Sequence, residues 1–239
     1  MKPQSIQALG DDNRRRERRV WIAFVVLCAI GAAAATRRIV ALGSTPLHGS
    51  SPFASLDAHF AAKAGMTLLH IVPSLLFVML VPLQFVSSLR QRRPQLHRWN
   101  GRVVMGLGMA LGISALRLSA HPVGGAAEGT ATILYGCLFL FSLSRAWLHI
   151  RKRRVELHRE WVTRMVAIAL GVATTRPIIA VFFATRPLTG LSPEQFFGPA
   201  MWLGFTATYV AGETWVRRTR PRAVPKREAV VSLRSHKVS

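Results

Sequence analysis

Two basic decapeptides, LRQRRPQLHR at residues 89–98 and IRKRRVELHR at residues 150–159, both end in Leu-His-Arg. Their histidines, His97 and His158, stand 61 residues apart. A neutral imidazole ligates iron and other transition metals, and a neighbouring guanidinium pairs with carboxylates or phosphates. Two equivalent histidines followed by arginines are therefore candidate axial ligands for b-type haem, with the basic loops meeting the propionates. His149 is a third candidate nearby, and His59, His70 and His121 make a second set. No Cys-x-x-Cys-His attachment motif accompanies them, so the metal and cofactor stay open. The plainer reading of His-Arg at such a corner is an anchor at a membrane surface.

Other polar side chains interrupt apolar runs, where an ionisable group is costly unless it pairs, snorkels or faces the bundle interior. His70 and Gln84 are fourteen residues apart and fall within about 40° of one helical face, together with Pro73 and Phe77. They suit a ligand or ion path, or simple hydrogen-bonded glue between helices. Arg164 and Glu213 sit at comparable depths, which predicts an ion pair, with Arg102 or Arg145 as substitute partners. Tyr209 shares the face of Glu213 with Trp202 and Thr206, and Arg176 shares the face of His158 at the far end of its run. Arg102, Arg164, Arg176, Glu213 and Tyr209 are thus the candidate intramembrane polar network.

The elements that position these residues follow from hydropathy. Six runs approach the ~20 apolar residues that cross a bilayer: 20–39, 65–88, 103–120, 130–150, 161–183 and 199–216. The chain carries 32 Lys and Arg against 10 Asp and Glu, and 24 of those cations fall in four segments. The segments are the N-terminal arm, the two decapeptide loops and the C-terminal tail. With six spans all four lie on one side, which the positive-inside bias makes the cytoplasm. The expectation is an all-α, polytopic membrane bundle of about six helices in a bacterial inner membrane, with both termini cytoplasmic. The first run also has the basic start and small residues of a signal peptide; its long basic arm favours a retained anchor. Two spans lie within one 61-residue period, so the two basic corners face the same compartment. That implies a duplicated hairpin, 65–120 and 130–183, with 199–216 as the last helix of a bundle spanning 65–216. Residues 1–19 form the basic arm, 20–64 the first span and outer loop, and 217–239 a basic, disordered tail. Small-residue stripes at Gly108/Gly112 and Ala167/Gly171/Thr175 point to spans three and five as the centre of a four-helix core, with spans one and six outside or capping it.

LLHIVPSLLFVMLVPLQFVSSLRQRRPQLHRWNGRV, LHREWVTRMVAIALGVATTR and GETWVRR resemble the bacterial predicted-membrane-protein family called domain of unknown function 2306, over residues 65–218. The most specific pieces are Pro-Leu-Gln-Phe, His-Arg-x-x-Gly-Arg and His-x-x-Trp-x-x-Arg. On that resemblance His70, Gln84, His97, Arg98, Gly101, Arg102, His158, Trp161, Arg164, Arg176 and Glu213 are the family-type positions. The resemblance implies architecture and candidate positions, and no activity.

Outside the spans, Ser51-Pro52 predicts a short helix lying flat on the outer surface through Phe53, Leu56 and Phe60, and Ser192-Pro193 predicts another before Phe196 and Phe197. The partners expected are the bilayer itself and anionic lipid at the basic loops and tail. No long polar domain is present to carry the positive charge onto nucleic acid. No phosphate loop, His-Glu-x-x-His or nucleophile elbow occurs, and Cys28 and Cys137 lack metal-ligand spacing. Three classes of function stay open: a haem or redox protein, a small-molecule or ion transporter or binding protein, and a lipid-associated accessory subunit.

Overall fold

The computed structural model describes residues 3–43 and 54–220, whose regular structure is helical throughout. Helix α1 (Pro3–Gly43) is followed by short α2 (Ala54–Ala61) and by α3 (Ala64–Leu80). A 3-10 segment (Val81–Phe85) and α4 (Ser87–Arg92) lead into α5 (Pro94–Leu118). Helices α6 (Gly125–Arg151), α7 (Val155–Ala169), α8 (Gly171–Thr189) and α9 (Pro193–Thr219) complete the chain. Five stretches are long and apolar enough to cross a membrane: Arg14–Gly43, Ala64–Phe85, Pro94–Leu118, Gly125–Arg151 and Val155–Thr189, the last joining α7 to α8. Helix α9 has 27 residues, about 40 Å of helical rise, but is more polar. It still runs the length of the bundle. Gly198 near its start packs on Ala127 and Glu128 at the start of α6, and Arg220 beyond its end reaches Glu160 in α7.

The long helices close into a ring: α1 on α3, α3 on α5, α5 on α6, α6 on α7 and α9, α9 on α8, and α8 back on α1. Lipid tails are as apolar as leucine, so close van der Waals packing and hydrogen bonds hold such helices together. Antiparallel ladders supply both. Between α3 and α5, His70 Nδ1 meets Ser114 Oγ at 2.9 Å, Phe77 lies on Gly108, and Asn100 Nδ2 donates to the Leu80 carbonyl at 3.1 Å, where α3 gives way to the 3-10 segment. Between α5 and α6, Gly108 and Gly112 admit Leu143, Phe139 and Leu140.

The small-residue stripe of the fifth span meets α9 instead. Gly171 lies under the ring of Phe205, Gly204 under Thr175, and Gly212 under Ala167. The two stripes therefore do not pack on each other, and the sixth helix is not peripheral. It contributes Phe196, Phe197, Ala200, Phe205 and Val216 to the buried core. Ser192-Pro193 starts this helix, with a Ser192/Gln195 capping box, so Phe196 and Phe197 pack inside and do not lie on a surface. Helix α2 is also tucked in: Leu56 is 4% exposed, in a cluster with Ile179 and Phe196. Phe53 and the Ser51-Pro52 start lie outside the described residues.

Two boundaries differ from the sequence reading. The basic arm has no break from the first span, because α1 is continuous. Arg217 and Arg218 belong to the last turns of α9, so only residues 221–239 of the tail lie outside the described region. Cys28 is buried in the core, while Cys137 is exposed on the bundle's outside.

Both basic corners share a register. His97 is the fourth residue of α5 and His158 the fourth of α7, each with its N–H on the carbonyl of the arginine before the helix. The two imidazoles are near enough to interact electrostatically. Arg16 of α1 stacks over Trp215 of α9 at 5.5 Å. The N-terminal helix, both decapeptide corners and the end of α9 thus gather at one end of the bundle.

Candidate functional site

At that end α6, α7 and α9 part around a cavity of about 810 Å³. Each wall is a helical stripe, spaced by three or four residues. Helix α6 presents Leu138, Phe141, Ser142, Arg145 and His149. Helix α7 presents Leu157, Glu160, Trp161 and Arg164, and α9 presents Tyr209, Val210, Glu213, Thr214 and Arg217. Arg154 and Arg220, just outside α7 and α9, complete the lining.

Five arginines and two glutamates therefore surround one space. Arg164 Nε bonds Glu213 Oε2 at 2.8 Å, and Arg164 also reaches Glu160 at 3.4 Å. Arg217 bonds Glu213 at 3.0 Å and Arg220 bonds Glu160 at 2.6 Å. Glu160 holds the Arg220 guanidinium above its ordinary pKa through that hydrogen bond. The Arg164 guanidinium lies 4.8 Å over the Trp161 ring and the Arg145 guanidinium 5.5 Å over it. Among the described residues no carboxylate pairs with Arg145 or Arg154. Arg145 Nε and both ring nitrogens of His149 are buried without a hydrogen-bond partner, and His149 is 6% exposed. A surplus of cationic donors around one space attracts an anion, because each guanidinium presents a fork matched to carboxylate or phosphate oxygens.

Of the residues singled out from sequence, Arg164, Glu213 and Tyr209 meet at this cavity. Arg102 does not join them; it is exposed and lies 6.0 Å from the Trp99 ring. Arg176 belongs to the opposite end, within electrostatic range of Arg37 and Glu128. His70 is held by Ser114, as above. Gln84 Nε2 donates to the His97 carbonyl at 3.3 Å, and its side chain lies against Gly101, where a Cβ would crowd it. His70 thus joins α3 to α5, and Gln84 joins the 3-10 segment to α5. His158 Nδ1 lies 2.8 Å from the Ala146 carbonyl, and His97 Nδ1 is buried without a partner. Neither histidine lines the cavity. Among the described residues no group of three or more His, Cys, Asp or Glu is arranged to hold a metal ion. His59 Nε2 contacts the His121 backbone carbonyl at 3.2 Å, whereas His70 Nδ1 meets Ser114.

Sequence reasoning missed Glu160 and Ser142, and gave Arg145 and His149 only secondary places. A signal was available: Arg145/His149 and Glu160/Arg164 are i,i+4 pairs on either side of the second basic corner. It also missed Tyr135, whose hydroxyl lies 2.7 Å from Thr206 Oγ1 while its ring stacks on Phe205 at 4.9 Å.

No curated protein and no solved structure matches the chain. The family described as predicted membrane protein (DUF2306) matches residues 67–216, which include every residue lining the cavity except Arg217 and Arg220. The chain is a member of that membrane-protein family.

Proposed function

We propose that this membrane protein binds an anion in the cavity between α6, α7 and α9. The observation that carries the reading is the imbalance of charge: five arginines face two glutamates around one space, and among the described residues Arg145 and Arg154 have no carboxylate partner. Glu160 and Glu213 organise the remaining guanidiniums and link α7 to α9, so an incoming anion meets preoriented donors. The positive-inside bias turns this end of the bundle, with both termini, toward the cytoplasm of a bacterial cell and sets the protein in the inner membrane. Helix α9 serves as the sixth span, with Tyr209, Glu213, Thr214 and Arg217 turned to the cavity.

The test is thermal stability of the purified protein in inorganic phosphate and citrate, at ionic strength matched with chloride. The expected result is a midpoint raised by several degrees, with the rise reduced in Arg217→Gln and Arg154→Gln. Equal midpoints in all three salts would remove the reading.

A second reading keeps one specific observation. His158 donates through Nδ1 to the Ala146 carbonyl, which leaves Nε2 as an acceptor in the manner of metal-binding histidines, and His97 occupies the equivalent position one repeat earlier. On this reading the two histidines would hold b-type haem, which supplies one-electron chemistry when bound. A reduced-minus-oxidised spectrum without a Soret feature, after expression with ample haem, would eliminate it.

A further inference from the structure

The cavity is not uniform along its length. Its deep end is apolar: Leu138 and Phe141 on α6 face Val210 on α9. Its other end holds Arg145, Arg154, Arg217 and Arg220. Leu138 and Arg145 are seven residues apart on one helix, about 10 Å of rise. Polarity therefore changes from hydrocarbon-like to strongly cationic within the length of a lipid headgroup and its first methylenes.

The apolar end is also open. Phe141 is 53% exposed and Val210 54% exposed, although both line the cavity. Phe141 stands ten residues before the end of α6, about 15 Å inside it. That depth falls within the roughly 30 Å hydrocarbon layer. In a bilayer, an opening at that depth meets acyl chains. Above it the same two helices are sealed by Tyr135, which stacks on Phe205 and meets Thr206. A soluble anion needs only the arginine end. A side opening at hydrocarbon depth, continuous with a cationic pocket, matches a molecule with an anionic head and an attached chain.

We propose that the occupant is an amphiphile with a phosphate or carboxylate head, taken sideways from the leaflet on the basic side. Its head pairs with Arg145, Arg154 and Arg217, and its chain passes between Phe141 and Val210. This rests on the anion-binding reading above and adds the chain and the lateral route.

Native mass spectrometry of delipidated protein tests it, with dioleoyl phosphatidylglycerol, dioleoyl phosphatidylcholine and glycerol 3-phosphate as probes. The expected result is one phosphatidylglycerol retained per chain, at least tenfold more strongly than phosphatidylcholine. Arg217→Gln, at a largely exposed side chain, should cut that preference severalfold. Val210→Trp, which narrows the side opening at a lipid-facing position, should reduce phosphatidylglycerol retention while leaving stabilisation by glycerol 3-phosphate intact. Should glycerol 3-phosphate compete as well as phosphatidylglycerol, with Val210→Trp without effect on either, the amphiphile proposal is overturned and the anion site stands. Should neither the lipid nor glycerol 3-phosphate be retained over phosphatidylcholine, both readings fail together.

Discussion

Arg164 Nε lies 2.8 Å from Glu213 Oε2, and this contact ties α7 to α9 across the floor of the cationic cavity. The arginine side chain is only 12% exposed and the glutamate 23%. A charge so placed depends on its partner, because its alternative is poorly solvated. Glu213 is shared with Arg217, and Glu160 is shared between Arg164 and Arg220. The pair and the three side chains beside it thus act as one network, and the helices they join cannot separate without breaking several bonds.

Removing either member of the pair leaves the other without its partner. Glu213→Gln and Arg164→Gln are each expected to lose about 1–3 kcal/mol, the usual cost of leaving a buried polar partner unsatisfied. The double variant should lose less than the sum of the two. Thermal denaturation of all four proteins in one detergent measures this coupling. Additive losses would mean that the two residues do not depend on each other.

The packing of α9 gives a prediction with opposite signs at two glycines. Gly204 lies under Thr175 and the Gly171 carbonyl, so Gly204→Ala forces an overlap and should destabilise by about 1–3 kcal/mol. Nothing lies within 4 Å of a Cβ at Gly106, also inside a helix. Gly106→Ala should therefore be neutral or stabilise by up to about 1 kcal/mol, through helix propensity alone. Equal effects at the two sites would show that α9 does not pack on α8 as described.

The spans were legible because hydrocarbon requires long apolar helices, and the first five runs read from hydropathy correspond to the five apolar stretches of the structure. The common register of the two basic corners was legible because a 61-residue shift carries His97 onto His158, and the same shift carries the start of α5 at Pro94 onto the start of α7 at Val155. Partner choice was not legible. A glycine stripe says that something approaches closely but not which helix does, so Gly171 was placed at the bundle centre with no sign that Phe205 of α9 covers it. The candidate network was assigned by depth, and depth cannot tell the two sides of a helix apart. Arg102 and Arg164 both lie inside the basic end of a span, yet Arg102 points outward and Arg164 inward. Arg145 and His149 gain significance only when α6, α7 and α9 are seen to part at their level.

The orientation proposed for the bundle predicts a labelling pattern. In a Cys28→Ser, Cys137→Ser background, Arg92→Cys and Arg153→Cys should both resist a membrane-impermeant maleimide in intact cells and react after lysis. Their corners sit at one end of the bundle beside neighbouring histidines. Labelling of one in intact cells and the other only after lysis would contradict the arrangement of the two hairpins.

Tyr135 should govern the upper limit of the cavity through its ring more than through its hydroxyl. Tyr135→Phe keeps the stack on Phe205 and the edge contact with Trp202 at 6.0 Å, and loses only the hydrogen bond to Thr206. Its cost should be about 1 kcal/mol. Tyr135→Ala removes a 5%-exposed ring from between α6 and α9 and should cost about 3–5 kcal/mol, as for other large aromatic truncations in a packed core. The two variants separate packing from polar glue in thermal melts. If phenylalanine proved as damaging as alanine, the hydrogen bond to Thr206 would be the principal tie between α6 and α9. The seal above the cavity would then be polar, and an acyl chain lying against it would meet an unfavourable surface.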